Sequence, residues 1–229
     1  MKMNADEKKE NSSGLKPMYS FDLWGVLIDQ KILGQRKIDF YESNARKNRV
    51  PEHEIIGTVQ DYRDLLDGKP WATGSRRSDI IDALEGQEWV MEVQTQFKSA
   101  FMPDALMVMD EILKAGARVL IFTSKPAPGL REQLASTLGR DIGEVRWGNK
   151  GDPEIFKNVY DLETKLGNRI VSHTADELPE LVAASKSGLF PTEGLIYINR
   201  NESNSEEDVK KAGIGRYVND LREVKYTTL

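Results

Sequence analysis

From residue 103 onward the chain repeats one pattern, a helical segment followed by a short apolar run. The pattern occurs four times before residue 200, and each apolar run ends at polar residues. The runs at 119–122 and 195–198 have no polar face, which is typical of strands buried on both sides. Strands that alternate with helices of about 10 to 15 residues predict a parallel sheet with helices on both faces.

An earlier apolar run, residues 19–28, is interrupted by the carboxylate of Asp22 and a Trp-Gly pair. A carboxylate at the buried end of a strand needs a partner or a function. About a hundred residues lie between Asp22 and Thr123, and they show helical spacing with no convincing strand. Such a separation far exceeds an ordinary crossover, so we predict a helical insert after the first strand.

Composition excludes several kinds of site. The chain has 229 residues, no cysteine and two histidines, His53 and His173. Disulfides, thiolate catalysis, zinc-thiolate centres and multi-histidine metal sites are therefore excluded or disfavoured. His173 ends an apolar run, and we interpret it as a packed or hydrogen-bonded residue rather than a ligand.

Charge and hydropathy predict the setting of the protein. The net charge is −5, the first 14 residues are polar, and no stretch of 18 uninterrupted apolar residues occurs. We expect a cytoplasmic protein with no nucleic-acid or membrane partner, a small anionic substrate, and a monomeric or homodimeric state.

Polar residues follow three of the apolar runs. Asp22, Thr123 and Asp176 each stand where a predicted strand ends. In open α/β sheets the loops at the carboxyl ends of the strands build the site. We therefore expect these three side chains to lie close together.

Four segments resemble, in order, the motifs of the haloacid dehalogenase superfamily. That family has an aspartate on the first strand, a threonine or serine after a second strand, a lysine starting a helix, and a late acidic pair. The matching segments are FDLWG with Asp22, LIFTS with Thr123, WGNKGDPEIF with Lys150, and TADELPELVAASKSG with Asp176 and Glu180. The resemblance extends from about residue 19 to residue 222.

The resemblance implies an α/β fold, a doubly wound parallel sheet with a Rossmann-like core and an inserted helical cap. It places a catalytic core at 18–30 and 101–229, and the cap at 31–100. Residues 1–17 are predicted to be a disordered leader. The cap would decide the substrate, and Arg76 and Arg77, near Trp71, suit an anionic ligand. The same arginines could equally form a solvated loop.

The resemblance also implies the chemistry. Asp22 would attack phosphorus or carbon and form a covalent aspartyl intermediate. Mg²⁺ would be held by Asp22, the main-chain carbonyl of Trp24 and Asp176, with Glu180 beside them or holding a coordinated water. Lys150 would neutralise the nucleophile and a phosphoryl oxygen, and Thr123 would donate to the substrate. Ser124 and Trp24 complete the predicted substrate contacts.

Some of these residues have simpler interpretations. Thr123 and Ser124 could merely initiate a turn. Lys150 could be a solvated loop residue, and Lys125, beside the second motif, an ordinary exposed lysine. Asp176 and Glu180, four residues apart, could be charges that favour a helix N-terminus.

One position departs from the phosphatase pattern. Phosphatases of the superfamily have a second aspartate two residues after the nucleophile, where this chain has Trp24. Indole cannot exchange a proton at useful pH, whereas halide departure needs no protonation. Three hypotheses follow: a magnesium-dependent phosphoric monoester hydrolase, a 2-haloacid dehalogenase-type hydrolase, and a nearly inactive phosphate-binding protein.

Overall fold

The structure is a computed structural model that describes residues 14–67, 100–124, 126–200 and 204–226. A single sheet contains all six strands of these ranges, every pair is parallel, and the order is β3-β2-β1-β4-β5-β6. The predicted doubly wound parallel sheet is therefore confirmed. The strands are β1 (Lys16–Phe21), β2 (Arg118–Thr123), β3 (Gly143–Trp147), β4 (Asn168–Ala175), β5 (Leu195–Ile198) and β6 (Arg216–Val218).

Helices cover both faces of the sheet, and capping residues set several of their starts. The Asp29 side chain accepts hydrogen bonds from the backbone of the first turn of α1. The Asp152 side chain caps α5 in the same way, and Pro153 follows at the first helical position. The helices are α1 (Gln30–Lys47), α2 (Glu52–Leu66), α3 (Pro103–Lys114), α4 (Leu130–Leu138), α5 (Pro153–Lys165), α6 (Leu178–Lys186) and α7 (Glu206–Lys211). No described helix is long and apolar enough to cross a membrane.

The core has two layers because successive strand residues point to opposite faces. On β2, Val119 and Ile121 pack with α3 and α4, while Leu120 and Phe122 pack with α5 and α6. Each layer is apolar, which explains why the central strands read as continuous hydrophobic runs in the sequence.

Helices α1 and α2 form a third, smaller cluster. Its buried members are Ile38, Ala45, Ile55, Val59 and Tyr62. These helices are the described part of the segment predicted to be a cap. The cap boundaries of 31 and 100 remain a prediction.

The structure differs from the sequence-based expectation at both ends of the core. β1 begins at Lys16, so the predicted leader of residues 1–17 extends too far, and pairing with β2 and β4 is what orders this segment. β6 was not predicted. It has three residues, of which one is buried. So short a segment shows no hydrophobic pattern that could indicate a strand.

Candidate active site

Three strand ends meet at the point where the strand order reverses. β1 lies between β2 and β4, so Asp22, Thr123 and Asp176 leave neighbouring strands at the same edge of the sheet. All three are buried, and the Asp22 residue is only 3% exposed. This is the crevice in which doubly wound sheets bind ligands.

Lys150 links the predicted nucleophile to the late acidic pair. Its Nζ lies 2.5 Å from Asp22 Oδ1 and 2.5 Å from Glu180 Oε2. Lys150 is three residues before the first residue of α5, and Glu180 is in the first turn of α6. Two helix starts on one side of the sheet thus bring the ammonium and a second carboxylate to the end of β1.

Glu180 has a second buried partner. Its Oε1 lies 2.7 Å from His173 Nε2, and the other ring nitrogen of His173 lies 2.9 Å from Ser20 Oγ. His173 is fully buried. Glu180 Oε1 is therefore hydrogen-bonded to His173, and Glu180 Oε2 forms the ion pair with Lys150.

The loop after β1 brings Asp176 close to the Asp22 segment. The Asp22 backbone N–H donates to Thr174 O at 2.8 Å, and Gly25 has φ +73°. A Cβ built at Gly25 would overlap the Asp176 carboxylate. Glycine is therefore needed here for space as well as for backbone conformation.

The charges in this cluster do not balance. Burial raises the pKa of Asp22 to about 7, helped by the charge of Glu180 and opposed by Lys150. Burial and the Asp22 charge raise the pKa of Asp176 to about 8. Burial also raises the pKa of Glu180 to about 7 against the attraction of Lys150. Two of these three buried carboxyl groups, Asp22 and Glu180, contact Lys150. A cluster of buried ionisable groups with strongly shifted pKa values is typical of a functional site.

The surroundings of Lys150 and His173 favour one charge state for each side chain. Burial works to lower the pKa of Lys150, but the Asp22 and Glu180 charges outweigh it and raise that pKa above its usual value. Burial, with the Lys150 charge, lowers the pKa of His173 to about 3. At neutral pH, Lys150 is a cation and His173 is a neutral ring.

A cavity of about 480 Å³ opens beside these groups. Its wall includes Asp22, Trp24, Ser124, Lys150, Glu177 and Glu180. The Thr123 side chain is fully buried, and its hydroxyl has no hydrogen-bond partner in the described part of the chain. Arg76, Arg77, Trp71 and Lys125 lie outside the described residues.

Solved structures of other proteins match this architecture over nearly the whole chain. One described as a phosphatase from Clostridium difficile has a TM-score of 0.56 and 17% identity, and the match covers 93% of this chain and 98% of that one. One described as a haloacid dehalogenase-like hydrolase from Bacteroides fragilis has a TM-score of 0.53 and 17% identity, covering 90% and 98%. A dehalogenase has a TM-score of 0.52 and 20% identity, covering 92% and 96%. The chain has the haloacid dehalogenase fold.

The resemblance seen in the four segments is thus confirmed at the level of the fold. By sequence alone, no protein-family model and no curated protein matches the chain. The candidate chemistry is therefore argued from the arrangement of side chains in this site and not from a sequence match.

Asp22 and its neighbours offer oxygen donors of the kind that a divalent cation such as Mg²⁺ prefers. Asp22, Asp176 and the carbonyl of Trp24 are all oxygen donors, and Mg²⁺ is usually bound by one or two carboxylates with several waters retained. Within the described ranges, no group of three or more acidic or histidine side chains could hold a metal ion by itself. A cation here would therefore depend on the main chain and on water, and its charge would relieve the raised pKa values of Asp22 and Asp176.

Sequence reasoning missed Lys37, on α1. Lys37 is 8% exposed, and its Nζ lies 5.8 Å from the centre of the Trp24 ring and 5.9 Å from that of Tyr62. Cation–π contacts of this kind stabilise by about 0.5 to 2 kcal/mol. The only local signal was a lysine next to Ile38 on the buried face of an amphipathic helix, which normally indicates a snorkelling side chain.

Gly25→Ala should disrupt the site more than an ordinary substitution at positive φ. The added methyl overlaps Asp176, so we expect a lower melting temperature and loss of any shift on adding Mg²⁺. Gly116→Ala is the matched control, because Gly116 has φ +81° with nothing within 4 Å of an added Cβ and should lose only about 1–2 kcal/mol through backbone strain. Equal destabilisation of the two variants would contradict the close packing of Gly25 on Asp176.

The raised carboxyl pKa values predict that stability in chelator falls as pH rises from about 6.5 to 8. Unfolded carboxyl groups titrate near pH 4 and unfolded histidine near 6.5, so in this window the folded state holds the extra protons and loses stability on releasing them. Mg²⁺ should raise the melting temperature more at pH 8 than at pH 6.5. Melting curves at both pH values, with chelator or Mg²⁺, measure the effect.

Asp176→Asn provides the control for this pH dependence. It should weaken both the pH slope and the Mg²⁺ shift, because it removes the group with the highest raised pKa and a predicted metal ligand. A wild-type melting temperature that is flat or rises between these pH values would rule out the three-carboxyl explanation.

Proposed function

We propose that this protein is a magnesium-dependent hydrolase of small phosphoric monoesters that uses Asp22 as its nucleophile. The observation that carries the proposal is the contact between Asp22 Oδ1 and Lys150 Nζ on the cavity wall. An ammonium at that position can neutralise both the attacking carboxylate and a phosphoryl oxygen. The phosphatase structure with the same fold supports the choice of reaction.

The proposed reaction has two steps. An Asp22 oxygen attacks phosphorus, forming an aspartyl phosphate as the bond to the alcohol oxygen breaks. Water then attacks the same phosphorus, releasing inorganic phosphate and regenerating the Asp22 carboxylate. Bound Mg²⁺, held by Asp22, Asp176 and the Trp24 carbonyl, would offset the repulsion between the carboxylate and the phosphate.

The described residues suggest how a phosphoryl group would be held. We assign Lys150 to one oxygen. We assign to another the Thr123 hydroxyl, which is buried and has no hydrogen-bond partner among the described residues. Ser124 lies on the cavity wall. Since Lys150 and His173 take both oxygens of Glu180, we assign Glu180 to holding Lys150 and not to direct metal ligation.

Trp24 limits the substrates. With indole at the position two residues after the nucleophile, no side chain there can protonate a leaving alkoxide. General acid catalysis contributes about 10² to 10⁴-fold in rate. The enzyme should therefore favour esters whose alcohol is a good leaving group.

The same residue favours a second candidate, hydrolysis of a 2-haloacid. A halide leaves carbon without a proton, so Trp24 would be no handicap, and a dehalogenase shares the fold. Asp22 would then attack carbon and displace the halide, and water would open the resulting ester. The late acidic pair, Asp176 and Glu180, has the spacing of the magnesium-dependent members of the superfamily, and this favours the phosphatase.

Assays with and without chelator distinguish the candidates. Hydrolysis of an aryl phosphate that disappears with chelator supports the phosphatase, whereas chloride release that ignores chelator supports the dehalogenase. If neither occurs and vanadate still raises the melting temperature, the protein is a phosphate-binding one and the proposal is wrong.

Asp22→Asn should lower turnover by at least about 10³-fold, because it removes the covalent route. Folding should be preserved, since a neutral amide suits a buried position better than a carboxylate. Steady-state kinetics and a melting curve measure both effects. Asp29→Asn is the matched control, because asparagine also caps helices well and Asp29 is outside the cavity wall. Retained activity in Asp22→Asn would exclude Asp22 as the nucleophile.

Trp24→Asp should raise turnover on alkyl phosphates, up to about 10²-fold, by supplying the acid that the leaving group needs. Aryl phosphates should gain little, because their alcohols leave without protonation. Trp24→Phe tests the alternative that any change of the ring increases the rate, and it should give no gain. If alkyl phosphates gain nothing from Trp24→Asp, the missing acid is not what limits this enzyme.

A further inference from the structure

A continuous chain of buried polar contacts extends away from the nucleophile. It runs from Asp22 to Lys150, then to Glu180, His173 and Ser20, with successive distances of 2.5, 2.5, 2.7 and 2.9 Å. Each member is at most 8% exposed. Its far end, Ser20, lies on β1 two residues before Asp22, so the chain leaves the nucleophile's strand and returns to it.

We infer that His173 is a positioning residue, a neutral imidazole with its hydrogen on Nε2 that holds Glu180 in place for Lys150. Lys150 Nζ lies 2.5 Å from Glu180 Oε2 and favours the ionised form of Glu180. A carboxylate can only accept, so the ring nitrogen facing Oε1 must donate. The other nitrogen, Nδ1, then accepts from the Ser20 hydroxyl. The donor and acceptor at each end of the His173 ring thus follow from the Glu180 contact, since the Ser20 hydroxyl can either donate or accept.

The surroundings of His173 favour this state. Its ring contacts the rings of Phe156, Phe190 and Phe122, with centroid distances of 5.2, 6.1 and 6.3 Å. An apolar surrounding disfavours a charged ring, and the three rings, from β2, α5 and the segment after α6, restrict its rotation. Packing restricts the plane of the imidazole, and the Glu180 carboxylate, which only accepts, determines which nitrogen carries the hydrogen.

The contact has a consequence for catalysis, which rests on the function proposed above. Lys150 is equally close to Asp22 and Glu180, so the two carboxylates compete for it. A hydrogen bond from His173 satisfies part of the Glu180 charge and leaves more of Lys150 for Asp22 and the phosphoryl group. Without that donor, Glu180 would hold Lys150 more strongly, and the rate of phosphoryl transfer would fall.

Nuclear magnetic resonance of the ¹⁵N-histidine-labelled protein tests the tautomer without any assay of activity. The chain has two histidines, and His53 is exposed on α2, so the spectra of wild type and His53→Gln assign the His173 signals. At neutral pH we expect a hydrogen on Nε2 and none on Nδ1. A ring protonated on Nδ1 alone, on both nitrogens, or as a mixture would overturn the inference.

Kinetics test the consequence. His173→Leu removes the donor and should lower kcat by about tenfold to a hundredfold, with a much smaller change in KM. Losses of this size follow removal of the hydrogen-bond partner behind a metal ligand, and we expect the same for the partner behind Glu180. His173→Gln should recover most of kcat, because its amide nitrogen can donate from nearly the same place. His53→Gln is the control and should match wild type.

The outcomes separate this inference from the proposed function. If wild type hydrolyses no ester, the proposed function fails and the tautomer measurement still decides the role of His173. If wild type is active and His173→Leu is equally active, or His173→Gln recovers nothing while folded, the positioning role is wrong. Should His173→Leu not fold, His173→Gln and the wild-type spectrum decide.

Discussion

The ion pair between Lys150 and two buried carboxylates is the interaction on which the rest of this site depends. Removing charges from water is unfavourable unless each finds a partner, and here one ammonium serves Asp22 and Glu180 at the same distance. The charge of Glu180 helps to raise the pKa of Asp22, and the charge of Asp22 helps to raise that of Asp176. A cation bound among these carboxylates would reduce their repulsion.

The parallel sheet makes this concentration of charge possible. Strands β2, β1 and β4 are neighbours and end at one edge, so residues separated by more than 150 positions meet there. The two apolar layers on either side of the sheet stabilise the fold, and this offsets the unfavourable burial of the polar cluster. Sites of this kind sit at strand ends because the loops there can change without disturbing the core.

Trp24 gives the site its individual character. Its ring lies on the cavity wall, and Lys37 Nζ on α1 lies 5.8 Å from the ring centre. Trp24 therefore connects the loop after β1 to α1. Indole cannot exchange a proton at useful pH, so packing and cation contact, and not proton transfer, are what Trp24 contributes here.

The sequence by itself determined five of the six described strands, their parallel arrangement, and the placement of Asp22, Thr123 and Asp176 at strand ends, because hydrophobic periodicity and turn residues are local signals. Only the tertiary structure decided that Glu180 is held by Lys150 and His173, that His173 reaches Ser20 across 153 positions, and that Lys37 lies over Trp24. β6 and the ordered start of β1 at Lys16 also came from pairing in the sheet. The pairing of side chains in a buried site depends on where the crossover connections and the helix N-termini lie in space. A local pattern of residues does not determine those positions.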